Sequence, residues 1–98
     1  MHARLLLFNV KPGRGSKARA LANKLNDAFK NLKGFESATY LSGDVTVGSY
    51  AVLVLWKSFE EAVAGRDVLL PKLKEVLNGR LQGPIWYPLF EVIEPKIS

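Results

Sequence analysis

The chain has 98 residues, with fourteen Lys or Arg against nine Asp or Glu, giving a formal net charge of +5 and a pI near 9.7. A hydrophobic content of 48%, a charged content of 23% and a mean hydropathy of +0.04 exclude a disordered tail, and no apolar run approaches the roughly 18 residues of a membrane helix. With no cysteine and a single histidine, His2, disulfides, thiolate nucleophiles, cysteine metal sites and most histidine chemistry are closed off.

The start, MHARLLLFNVKPG, has an apolar core too short for a signal peptide, so a cytoplasmic address is expected. Ala3 to Val10 reads as a strand ending at the turn Lys11-Pro12-Gly13. A helix is predicted from Ser16 as N-cap, with Ala18, Leu21, Ala22, Leu25, Ala28, Phe29 and Leu32 at helical spacing and Gly34 ending it. Phe35 to Ser42 mixes polar and apolar residues as an edge strand would, and a turn around Gly43-Asp44 follows.

Tyr50 to Trp56, YAVLVLW, is apolar without alternation. As a strand it needs cover on both faces. One layer of helices covers one face, and the chain is too short to supply a second sheet, so a second copy of the protein is the expected cover for the other. Association would also help a domain of this length, which buries only about 60–68 per cent of its unfolded surface.

Ser58-Phe59-Glu60-Glu61 has the form of a capping box and marks a second helix. Pro71 is expected to break it, leaving one short helix to about Arg66 and another from Pro71 to Asn78-Gly79. The last strand is predicted at Leu89 to Glu94, between Pro88 and Pro95, at a sheet edge. The order is βαββαβ in one domain, residues 1–98, with the first and third strands central.

Three features together resemble a known family: Asn9-Val10-Lys11-Pro12-Gly13 closing the first strand, Gly34-Phe35 opening the second, and Leu55-Trp56-Lys57-Ser58 closing the third before a helix. The chain is similar to the antibiotic-biosynthesis-monooxygenase-like group of the dimeric α/β-barrel superfamily. That resemblance implies an α+β, ferredoxin-like domain with an antiparallel four-stranded sheet and helices on one face. It implies a homodimer whose sheets pack face to face, and a cavity between sheet and helices. The activity it implies ranges from cofactor-free oxidation of polyphenols, through haem degradation, to none. Haem-degrading relatives use an asparagine on the first strand with a tryptophan and a histidine on the helices. Asn9 matches the first, but Gly65 stands near the tryptophan position and no histidine follows His2, so the chain departs from that branch.

Several residues are candidates for a site. A period of two puts Leu6, Phe8 and Val10 on one face of the first strand and Leu5, Leu7 and Asn9 on the other. The set containing Phe8 is expected to meet the helices, which points Asn9 toward the opposite face or a cavity, where its amide could donate to a substrate oxygen. The competing reading is that Asn9 closes the strand by bonding nearby backbone. Tyr40, Tyr50, Trp56, Trp86 and Tyr87 either line an aromatic pocket for a flat ligand or serve as core and interface anchors. The basic stretch Lys11 to Arg19 precedes a helix and is read as an anion site or a solvated turn; it lacks the glycine spacing of a phosphate-binding P-loop.

The carboxylates form no acid/base pair: Glu60 and Glu61 start a helix, Glu91 and Glu94 point to opposite strand faces, and Asp44 belongs to a turn. Any catalysis would have to exploit a reactive substrate such as a hydroquinone, and neither a cofactor nor a metal is expected. That chemistry is what the family resemblance implies, and with it the function expected is binding or cofactor-free oxidation of a small aromatic or quinol-like molecule by a cytoplasmic homodimer. The alternative is a non-catalytic dimeric module with a structural or ligand-sensing role. RNA binding ranks below both, because the third strand offers aliphatic side chains where an RNA-binding sheet carries aromatics, and no specific nucleic-acid or membrane partner is expected.

Overall fold

The computed structural model describes residues 1–11, 18–43, 48–77 and 79–95. Its elements are β1 (His2–Val10), α1 (Ala18–Phe29), β2 (Phe35–Ser42), β3 (Ser49–Trp56), α2 (Phe59–Leu77), β4 (Leu81–Trp86) and β5 (Leu89–Glu91). The strands form one antiparallel sheet in the order β2-β3-β1-β4, with β5 also paired to β1. The most apolar strands, β1 and β3, occupy the centre and share an eight-residue register from His2–Trp56 to Asn9–Ser49. This is the α+β ferredoxin-like arrangement expected from the order of elements.

Strand parity decides where the core lies. Leu6 and Phe8 of β1 and Val52, Val54 and Trp56 of β3 are buried against Leu25 and Phe29 of α1 and Ala62, Leu69, Leu73 and Leu77 of α2. Both helices therefore cover one face. On the other face Leu5, Ala51, Leu53 and Leu55 are half-buried and Leu7 and Asn9 are exposed. Within one chain the third strand thus has one covered face, as expected.

Two expectations are corrected. The helix after Ser58 does not break at Pro71; α2 runs through it from Phe59 to Leu77. Proline removes one backbone hydrogen bond, to the carbonyl of Asp67, but Pro71 and Asp67 both lie on the exposed side, where water replaces the bond. Leu69, Leu73 and Leu77 on the other side are buried, and that packing holds the helix continuous. At its start the Glu61 N–H donates to Ser58 Oγ at 3.2 Å, as the capping box requires, while Ser58 Oγ–H donates to Glu61 Oε1 at 2.9 Å, so the glutamate meets the serine hydroxyl in place of the backbone donor expected of it.

The final strand also differs. In place of one strand from Leu89 to Glu94, two pieces line the free edge of β1: β4 beside Leu7 to Val10 and the three-residue β5 beside His2 to Arg4. Gly83 and Pro84 look like breakers in the sequence. At an edge they are absorbed by an irregularity between Leu7 and Asn9, with Gly83 at φ 79°. The pieces part at Tyr87-Pro88, where the Leu5 N–H still donates to the Pro88 carbonyl at 3.0 Å. Beyond Glu91 pairing stops because β1 has no residues left to pair with, the last contact being Val92 N–H to the Met1 carbonyl.

Candidate functional site

A pocket of about 230 Å³ lies between α1 and the helix-facing side of the sheet. Its floor is Phe8 of β1 with Tyr50 and Val52 of β3, and its roof is Leu21, Ala22 and Leu25 of α1. Tyr40, Leu41 and Ser42, at the end of β2, close one side, and Arg19 in the first turn of α1 stands at the exposed mouth. The Phe8 and Tyr50 rings stack across the β1–β3 register with centroids 5.9 Å apart and planes at 27°. The arrangement suits a flat, mostly apolar guest, with polar groups confined to the rim.

Tyr40 is the best-defined polar group. Its O–H donates to Asn26 Oδ1 at 3.3 Å, linking β2 to α1. Burial, and secondarily the negative charge of Asp27, push its pKa up from 10.0 to about 12. At neutral pH it is a protonated donor. Among the described lining residues there is neither histidine nor carboxylate, so this wall supplies hydrogen bonds and one cation but no conventional base. Among the described residues no three His, Cys, Asp or Glu side chains gather where they could hold a metal ion.

The sequence candidates are divided among several places. Tyr40 and Tyr50 meet in the pocket. Asn9 lies on the opposite, open face of the sheet, where its Oδ1 accepts a 2.9 Å hydrogen bond from Ser49 Oγ across the strand pair. Trp56 is 1% exposed at the far end of β3, edge-on to Phe35 with centroids 5.9 Å apart and pressed against Gly65 of α2. Trp86 is 65% exposed, on the open face opposite Leu7, and Tyr87 marks the β4–β5 break. The anion reading of the Lys11–Arg19 stretch falls largely on residues 12–17, outside the described residues; Arg19 is its member that reaches the pocket.

Arg19 belongs to the basic stretch already singled out, and its place three positions before Ala22, near the apolar stripe of α1, is visible in the spacing. One buried residue escapes the sequence reading. Arg4 shares the parity of Leu6 and Phe8, which places a guanidinium on the core face of β1; the period of two that located Asn9 would have found it as well.

No protein-family model and no curated protein matches the chain. Solved structures do match, at low sequence identity and nearly full length. SnoaB, a cofactor-independent oxygenase from Streptomyces nogalater, is 15% identical with a TM-score of 0.72, over 96% of this chain and 94% of that one. The monooxygenase ActVA-Orf6 of Streptomyces coelicolor, solved with the ligand nanaomycin D, is 18% identical with a TM-score of 0.70, over 99% and 91%. Rv0793 from Mycobacterium tuberculosis is 16% identical with a TM-score of 0.72, over 96% of each chain. The chain has the fold of the antibiotic-biosynthesis-monooxygenase-like proteins, as its strand-end motifs suggest.

Proposed function

We propose that this protein is a cytoplasmic homodimer that takes a small aromatic, quinol-like molecule into the α1-side pocket and oxidises it without a cofactor. The observation that carries the reading is the pocket itself: stacked Phe8 and Tyr50 beneath apolar α1 residues, with Tyr40 and Arg19 at the rim. A flat ring would lie on the aromatic floor. Its phenol oxygen would face the rim, where the Arg19 charge favours the phenolate and the Tyr40 O–H can donate to it by turning away from Asn26 Oδ1. A deprotonated hydroquinone passes electrons directly to dioxygen, so the protein's part is to bind it, favour loss of its proton to solvent and exclude bulk water. The names of SnoaB and ActVA-Orf6 support this reading by describing a cofactor-independent oxygenase and a monooxygenase in complex with the ligand nanaomycin D.

The open sheet face supports the dimer. Leu7, Trp86 and Phe90 are all exposed there, around half-buried Leu5, Leu53 and Leu55. Contiguous apolar surface of this kind marks an interface, and a like face of a second copy, related by a two-fold axis, would bury it. The lack of a base in the described pocket wall favours a second reading, a module that binds the same molecule without turning it over.

The test pairs binding with turnover. With 1,4-naphthohydroquinone as probe, the protein should bind it under nitrogen, seen as a rise in melting temperature, and accelerate oxygen uptake in air. Ala22→Phe, which fills the pocket from α1, should remove both effects, while Asn9→Ala on the opposite face should leave both intact. Binding without faster oxygen uptake would select the non-catalytic module. Binding that survives Ala22→Phe would refute the pocket.

A further inference from the structure

Arg4 is 5% exposed, on the helix-facing side of β1. Its Nη1 donates to the Tyr87 carbonyl at 2.6 Å, at the β4–β5 break, and its Nε is buried without a partner. The ion pairs among the described residues join Asp27 to Lys30, Glu36 to Lys57, Asp67 to Arg66 and Glu75 to Lys72, and none includes Arg4. A buried charge with no counter-charge is strongly destabilising, so proteins rarely keep one without a reason.

The groups near it are the Tyr87 carbonyl, the Arg66 guanidinium and, opposite His2 on β5, the exposed Glu91, which forms no ion pair with it. Burial, and then the Arg66 charge facing it from α2, lower the Arg4 pKa, opposed by the Tyr87 phenol. Arg66 donates from Nε and Nη2 to Oδ1 of exposed Asp67, both at 3.4 Å. Trp56 Nε1 and His2 Nδ1 are also buried and unpartnered, and Trp56 lies opposite His2 in the β1–β3 register, two residues from Arg4. Three orphaned polar atoms and two guanidinium groups thus share one end of the sheet. Phe8, on the pocket floor, is four residues along β1, about 13 Å away at the rise of a strand.

We propose that this end of the sheet is a second binding site, for a small free oxyanion, a carboxylate or phosphate held by the Arg4 and Arg66 guanidinium groups. An oxyanion offers several acceptor oxygens to the planar guanidinium fork and supplies the missing negative charge. A second copy packed on the open sheet face could not provide it, since Arg4 points to the helices.

The test is thermal melting in HEPES with ionic strength held constant by sodium chloride, titrated with inorganic phosphate and, separately, with acetate. At least one anion should raise the melting temperature, by about 4–8 °C at roughly five times its Kd and beyond that with the logarithm of its concentration. Whether phosphate or acetate is the stronger identifies the class. Arg4→Met should abolish the rise, and Arg66→Met, at a half-buried position where folding is not at stake, should weaken binding at least about tenfold. No rise beyond that in chloride, or an equal rise in parent and both variants, overturns the site. A drop in melting temperature from Glu91→Gln without added anion overturns it too, because the counter-charge would then be the chain's own.

Discussion

Gly65→Ala puts two opposing effects on one position, and the structure decides which wins. Alanine in a helix interior is favoured over glycine by about 0.5–1 kcal/mol. A Cβ at position 65, however, would lie 2.3 Å from Cη2 and Cζ2 of Trp56, against the 3.5–4.0 Å at which carbon atoms rest comfortably. The indole is 1% exposed and set edge-on to Phe35, so it cannot swing into solvent. Overpacking of this kind costs about 1–3 kcal/mol. The net expectation is destabilisation by about 1–2 kcal/mol, with each kcal/mol lowering the melting temperature by about 4–8 °C in a domain this size. Urea unfolding at fixed protein concentration measures it, together with Trp56→Phe and the double variant. Phenylalanine lacks the ring edge that meets Gly65, so in the Trp56→Phe background Gly65→Ala should turn neutral or stabilising. A stabilising Gly65→Ala in the parent protein would refute the argument and would mean that Trp56 has room to move, as the wall of a cavity would.

The two faces of β3 should respond differently to charge. Val54→Asp, on the buried helix side, should prevent folding at a cost on the order of 3–5 kcal/mol, whereas Leu53→Asp, on the open face, should act through assembly. Sedimentation and circular dichroism distinguish the two, and a folded parent monomer at micromolar concentration would remove the basis for the second. Tyr40 makes stability depend on alkaline pH. Folding raises its pKa from 10.0 to about 12, so its contribution is complete below pH 10 and is lost as pH climbs toward 12. Melting temperatures of the parent should therefore fall more steeply than those of Tyr40→Phe between pH 9 and 12; parallel curves would contradict the burial of the phenol.

Sequence alone determined the elements whose cause is local. The helical spacing through Leu25 and Phe29, the Ser58–Glu61 cap and the apolar run of β3 follow from periodicity and capping, which any neighbouring structure must accommodate. Parity was legible as well, since alternation along β1 assigned Phe8 to the helices and Asn9 to the other face. Tertiary structure decided what local rules leave open. Pro71 remains inside α2 because Leu69, Leu73 and Leu77 are buried around it, a gain that propensity cannot register. Gly83 and Pro84 join an edge strand because β1 offers a partner there. Tyr40 and Tyr50 meet in the pocket under α1, Trp86 and Tyr87 border a separate open groove beside Leu7, and Trp56 and Asn9 line neither, because convergence depends on which strands become neighbours and how α1 lies across them. The unpaired charge of Arg4 emerges the same way: alternation places the guanidinium inside, and only the packing of α2 and the β4–β5 break around it shows that no carboxylate among the described residues comes to meet it.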